Sequence, residues 1–304
     1  MSSSGSFVVV TGANGLVGSR VCEALVQRGV RARAIVRRPG TAPALPGVAE
    51  VVGDFAESKF AASVVSGASS VVTTVHPMGS DRETQQRIGV AGTLVVARAA
   101  ASAGIGRLVH ISTAAVYDRS PEMDDVDEAS VLVGDDAGDY SVTKRDTDLA
   151  LAGVDGITRV LLRPPAILGH GPTSVWNTLR PAAMREDERA RSAVADATFA
   201  WVHVDDLASL AAELASGRIP DAADQTSGPV AGVCTPLNVA AASATQRDYY
   251  EVVTGALGVV PVWEETPAWT GQILADRARS WGWAPTVDLA HALDEIAAGL
   301  RAAS

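Results

Sequence analysis

Lysine is almost missing from this 304-residue chain: of 25 lysines and arginines, only Lys59 and Lys144 are lysine. Arginine fills every other basic position, a general bias that gives weight to a lysine found in a patterned place. Basic charge is also short overall, 25 residues against 35 acidic ones, for a formal net charge of -10. That balance excludes a protein that coats a nucleic-acid backbone, which needs clustered cations to neutralise phosphates. Cysteine occurs twice, Cys22 and Cys234, far apart and without metal-ligand spacing, so both read as core thiols and no metal site is expected. No uncharged apolar run approaches the roughly twenty residues of a membrane-spanning helix. The polar start Met1-Ser2-Ser3-Ser4-Gly5-Ser6 shows no basic segment followed by an apolar one. A soluble, cytoplasmic protein without a membrane partner is the expectation. Aromatics make up only 5% of residues, which leaves most of the packing to aliphatic side chains and alanine.

What is present is a rhythm of short aliphatic runs and longer amphipathic ones. Residues 7–10, 31–36, 50–52, 70–75, 107–111 and 158–162 read as strands, and 17–28, 84–103 and 140–152 as helices. Strands this apolar are covered on both faces, as in a parallel sheet. The fold class predicted is α/β, a doubly wound parallel sheet with helices on both faces and a smaller C-terminal substrate-binding lobe. The expected division is residues 1–165 for the sheet domain, with a returning segment around 198–215, and 166–304 for the partly discontinuous lobe. All six tryptophans (176, 201, 263, 269, 281 and 283) fall in the second half and are assigned to that lobe's core, with one or two lining a substrate pocket.

The first strand ends in Thr11-Gly12-Ala13-Asn14-Gly15-Leu16-Val17-Gly18 and opens a helix. Glycines at this spacing allow a tight turn and close backbone approach to a pyrophosphate at a helix N-terminus, the Rossmann dinucleotide arrangement. The second strand ends in Arg37-Arg38, where an acid would hold a ribose 2′-hydroxyl. Guanidinium pairs with phosphate, so NADP(H) is favoured over NAD(H), with Arg37 as the principal 2′-phosphate contact. Asp54, after the third strand, is expected to accept from the adenine amino group.

Tyr140-Ser141-Val142-Thr143-Lys144 opens a predicted helix, so that Tyr140 and Lys144 project from one face at i and i+4. An ammonium beside a phenol favours the phenolate and tunes the pair for proton transfer. The preceding strand ends in Ser112-Thr113, and either hydroxyl is a candidate donor to a substrate carbonyl.

These residues together resemble the extended short-chain dehydrogenases/reductases, also called the NAD-dependent epimerase/dehydratase family. The likeness runs nearly end to end, through Gly92-Thr93-Leu94, Leu162-Arg163-Pro164-Pro165, Trp201-Val202-His203-Val204-Asp205-Asp206 and Trp281-Gly282-Trp283-Ala284-Pro285. The resemblance implies a Thr113-Tyr140-Lys144 catalytic triad, selecting Thr113 over Ser112. It implies cofactor contacts from Gly12, Asn14, Gly15, Leu16, Val17, Gly18, Arg37, Asp54, Phe55, Val75, Tyr140, Lys144, Pro164 and Ile167, and a homodimer. Three departures bear on function. Ala114-Ala115 stands where dehydratases carry Asp-Glu, Ala166 where epimerases usually carry Asn, and Gly89 where many members carry Asn. The expected activity is therefore NADP(H)-dependent reduction of a carbonyl, or oxidation of an alcohol, on a small or medium substrate. A nucleotide-sugar epimerase is the alternative, and a non-catalytic dinucleotide sensor is the third. Ala114, Ala115, His76 and Trp176 are the substrate-side candidates, while His203 and Asp206 are assigned to the scaffold.

Overall fold

Runs rich in β-branched residues build the central sheet of this protein, seen here in a computed structural model that describes residues 6–303. Its strands are β1 (Phe7–Thr11), β2 (Arg31–Val36), β3 (Val48–Val52), β4 (Ser70–Thr73), β5 (Arg107–Ile111), β6 (Thr158–Arg163) and β10 (Cys234–Asn238). They lie side by side in the order β3-β2-β1-β4-β5-β6-β10, all parallel. The order reverses between β1 and β4, and a crevice forms outside the carboxyl ends of the strands at such a switch point.

Both faces are covered. Val8 and Val10 of β1 pack into one core with Leu25 of α1 (Leu16–Gln27) and Leu207 and Ala211 of α7 (Val204–Ala215). Val9, between them, faces the opposite core with Val64 of α2 (Ser58–Val65), Val96 of α4 (Thr93–Ser102) and Leu151 of α5 (Asp139–Ala152). Strand alternation alone sends neighbouring side chains to opposite layers. Lys59, at the start of α2, is exposed.

The helix predicted over 84–103 is not one regular element. It begins as α3 (Arg82–Gln85), widens into a π-helical stretch Gln86–Gly92, and continues as α4. β10 was absent from the predicted set because Pro236 interrupts its pattern; at the sheet edge, paired on one side only, a proline is tolerated.

The second half builds a further core. The strands β7 (Ala166–Leu168), β9 (Thr198–His203) and β11 (Ala242–Thr245) form a three-stranded sheet, and β8 (Ser192–Ala193) pairs with β12 (Val262–Trp263). Leu168, Phe199 and Trp201 pack there with Met184 of α6 (Arg180–Glu186), Tyr249 and Tyr250 of α8 (Gln246–Leu257) and Ile296 of α10 (Leu289–Ala302). The tryptophans divide differently from the sequence expectation. Trp269, Trp281 and Trp283 pack into the core of the central sheet, around α9 (Asp276–Ser280), whereas Trp176, Trp201 and Trp263 belong to the other core. Trp281 and Trp283 precede a stretch held by Asp206 at the start of α7, whose carboxylate accepts from the Thr286 and Val287 N–H groups at 3.0 and 3.2 Å, while the Trp269 indole N–H donates to the Asp124 carbonyl at 3.0 Å.

Candidate active site

Where β1 ends, Gly12 turns the chain with φ 66°, a left-handed conformation that suits glycine. A Cβ here would stand 2.6 Å from the Thr74 hydroxyl, and one at Gly18 would overlap the Gly12 carbonyl at 2.2 Å. The turn therefore admits close contact between β1, α1 and the end of β4. α1 starts behind Gly15 with no cap from that residue and no acid in its first turn, which leaves the Val17 and Gly18 N–H groups to a ligand. The Leu16 N–H donates to the Thr173 hydroxyl at 3.2 Å, so the 169–173 loop lies over the turn.

A cavity of about 790 Å³ opens from this point. Its wall includes Gly12, Asn14, Gly15, Leu16, Val17, Gly18, Arg37, Phe55, Val75, His76, Thr113, Ala115, Tyr140, Ile167 and Trp176, drawn from the glycine turn and from several distant stretches of sequence. Four expected contacts are not in the wall. Ala114 is fully buried in the central core, because the extended backbone of Thr113 (φ -161°) sends successive side chains to opposite sides. Asp54 is exposed and accepts from the Ala56 N–H at 2.9 Å, turning its carboxylate to its own backbone. Pro164 is buried, its carbonyl accepting from the Ala114 N–H at 2.8 Å, and Pro165 and Ala166 face the cavity instead. Lys144 is buried behind the wall, 3% exposed.

On α5, Tyr140 and Lys144 share a face, as the spacing predicts. The Lys144 Nζ donates to the Ile111 carbonyl at 2.7 Å, tying the helix to the end of β5. Burial lowers Lys144 to about 8, with the carboxylate of Asp148, one further turn along, pulling the other way. Tyr140 departs from the expected lowered phenol. Burial raises it, and its hydrogen bond with the Thr113 side chain offsets part of that rise. In a low-dielectric site the cost of charging the phenol outweighs a neighbouring ammonium that is itself engaged by a carbonyl.

His76 lies edge-on to the Tyr140 ring, with centroids 5.1 Å apart. Its Nε2 meets Gln85 Oε1 at 3.0 Å, and Gln85 also accepts from the Thr143 hydroxyl at 2.8 Å. Burial first, and the Lys144 charge second, lower His76 to about 4, so the ring is neutral near pH 7. A neutral ring bonded to a carbonyl oxygen carries its proton on Nε2. The absence of a side chain at position 89 now has a physical reason: a Cβ there would sit 2.8 Å from His76 Nδ1. His110, on β5, is also held neutral by burial and meets the Thr73 hydroxyl at 2.8 Å through Nδ1.

Beneath the pair runs a buried hydrogen-bonded chain. Arg163 donates from Nε to Asp148 at 2.9 Å and from a terminal nitrogen to the Tyr117 hydroxyl at 2.8 Å. Tyr117 donates to Asn238 Oδ1 at 2.7 Å. This links α5, β6, the loop after β5, and β10.

Sequence reasoning missed several members of the wall: Arg119, Thr173, Thr198 and Gln246. Thr173 and Gln246 reach the cavity only through tertiary packing, and no local pattern marks them. Gln246 is the first residue of α8, held there by a reciprocal cap in which the Asp248 carboxylate accepts from the Thr245 N–H at 2.7 Å.

The sequence profile of the NAD dependent epimerase/dehydratase family matches residues 8–217. The chain belongs to that family. It is thus of the extended short-chain dehydrogenase/reductase type. Sterol demethylase protein B of Methylococcus capsulatus is 29% identical over 168 residues, covering 53% of this chain and 51% of that protein. The 2-alkyl-3-oxoalkanoate reductase of Stenotrophomonas maltophilia is 31% identical over 170 residues, 54% of this chain and 52% of that one. Such matches span about half the length of these relatives. The Bordetella bronchiseptica enzyme WbmH, solved in complex with NAD+, has the same fold: the TM-score is 0.77 at 20% identity, covering 99% of this chain and 100% of that one. No helix among the described residues is long and apolar enough to cross a membrane.

Proposed function

We propose that this protein is an NADP(H)-dependent oxidoreductase that reduces a carbonyl, or oxidises the corresponding alcohol, on a small or medium organic substrate. One observation carries the reading: a single cavity is walled at one end by the glycine turn and Arg37, and at the other by Thr113 and Tyr140. The uncapped start of α1 and the space kept by Gly12 fit a pyrophosphate. Arg37 and Arg38 both line the β2 end, and no acid lines the cavity there, which supports the 2′-phosphate form. When bound, the nicotinamide supplies hydride to the carbonyl carbon. Thr113 and Tyr140 hold the carbonyl oxygen, Tyr140 delivers the proton that completes the alcohol, and the Lys144 charge favours the phenolate left behind. The raised phenol suits this direction, because Tyr140 stays protonated and ready to donate at neutral pH. Ala115 and Ala166, both in the wall, offer none of the acid, base or amide groups of the dehydratase and epimerase reactions.

The test follows absorbance of reduced cofactor with NADPH or NADH against a panel of ketones and sugar nucleotides, with product analysis. Net oxidation that falls by about 10²-fold or more in Tyr140→Phe is expected. Epimer formation without net cofactor consumption would sink the reductase reading, and binding without turnover across the panel would favour a sensor. Arg37→Ala is expected to lower the NADPH/NADH affinity ratio by about tenfold or more; an unchanged ratio would remove Arg37 from the 2′-phosphate site.

A further inference from the structure

The cavity wall contains three arginines and no Asp or Glu among its described residues. Arg37 and Arg38 lie at the β2 end. Arg119 lies elsewhere, past the turn that follows β5 and carries Thr113 and Ala115. Its guanidinium stands over the Trp269 ring at 5.6 Å. The Trp269 carbonyl in turn accepts from the Thr198 N–H at 3.1 Å, which places Arg119 against the wall built from the second half of the chain.

Arg119 is half-buried and has no hydrogen bond or ion pair among the described residues, unlike three other arginines of low exposure. Arg107 meets Asp221 at 2.6 Å, Arg145 meets Asp135 at 2.6 Å, and Arg163 meets Asp148 at 2.9 Å. Burial lowers Arg119 from the usual guanidinium value, with no acidic neighbour acting against it. Even partial withdrawal of a cation from water is costly without a partner, and a ligand in the cavity can supply the counter-charge. The aromatic face of Trp269 returns only part of that cost.

The neighbouring polar wall is neutral. Thr198 and Gln246 both line the cavity, with Gln246 Nε2 donating to the Thr198 carbonyl at 3.4 Å. One guanidinium among neutral hydrogen-bonding groups matches a single negative charge shared by two oxygens, and that is a carboxylate. The rest of this end is apolar, with Trp176, Phe199 and Ala200 in the wall.

We propose that Arg119 binds a carboxylate of the substrate, and that the substrate is an oxo acid with an apolar body. This rests on the carbonyl-reductase reading above. The ketone accepts hydride at carbon from the reduced nicotinamide, which becomes oxidised. The ketone oxygen takes the Tyr140 proton, giving a hydroxy acid whose carboxylate stays ionised on Arg119 throughout.

The experiment compares 2-oxo- and 3-oxooctanoate with their methyl esters, using protein saturated with the cofactor it binds better. The wild-type chain is expected to prefer acid over ester in kcat/KM by about thirtyfold or more. In Arg119→Met that ratio should fall at least about tenfold, and Arg119→Lys should keep part of it. A wild-type ratio near one, or a ratio unchanged in Arg119→Met when thermal unfolding shows the variant folded, overturns the proposal. If no carbonyl in the panel turns over, the reductase reading fails by itself. The anion site is then judged by calorimetry of octanoate, methyl octanoate and octyl phosphate with the same cofactor-loaded protein. Octanoate tighter than its ester, in a manner lost in Arg119→Met, supports the site; equal affinities overturn it. Octyl phosphate binding tighter than octanoate overturns the choice of carboxylate.

Discussion

Lys144 is withdrawn from water and held against the Ile111 carbonyl, and burial brings its titration down to about 8. The folded value lies below that of a free lysine, so the ammonium is lost as pH rises through about 8 rather than near 10. Carbonyl reduction is expected to be flat between about pH 6 and 7 and to fall in kcat/KM by about tenfold per pH unit once Lys144 is neutral. His76, at about 4, titrates below this window and contributes nothing to it. A flat profile to pH 9.5 would separate Lys144 from the rate. The i, i+4 spacing made the pair legible in the sequence, and scarcity of lysine strengthened the signal. The raised phenol was not legible, because it depends on how deeply Tyr140 is covered by residues far away in the chain.

At the scale of elements, the wide turn at Gln86–Gly92 shows where local pattern stops. Residues 84–103 carry ordinary helical periodicity, but His76 occupies the space that a side chain at Gly89 would need. Gly89→Ala is expected to cost about 1–3 kcal/mol in urea unfolding by crowding that ring. The same change in a His76→Ala background should be neutral or stabilising, since a helix prefers alanine to glycine by up to about 1 kcal/mol. Equal costs in both backgrounds would show that His76 is not what position 89 makes room for. The six strands of the first half were readable from their aliphatic runs, with ends shifted by a residue or two. β10 was not, since Pro236 mimics a break and only the free edge of the sheet accommodates it.

For the molecule as a whole, the Asp148–Arg163 pair is a point where the carboxyl ends of β5, β6 and β10 are fastened to α5 through Tyr117 and Asn238. Both partners are buried, so Arg163→Met leaves a carboxylate without its cation inside the core. The expected loss is about 3–5 kcal/mol in global unfolding at neutral pH, partly recovered by adding Asp148→Asn. A loss below about 1 kcal/mol would mean that the pair contributes little. The glycine-turn end of the cavity could be read from one continuous motif, whereas the opposite wall gathers Arg119, Thr198 and Gln246 from loops and element ends that only the folded chain brings together.

The two lysines also divide the molecule for chemistry at amines. Lys59 stands in solvent on α2, and Lys144 is sealed beneath the cavity. An acylating dye therefore meets a single accessible side-chain amine, on a helix that packs on the sheet face opposite α1. A fluorophore on that one side chain, placed without any substitution, would report changes in rotation and distance while leaving the lysine behind Tyr140 untouched.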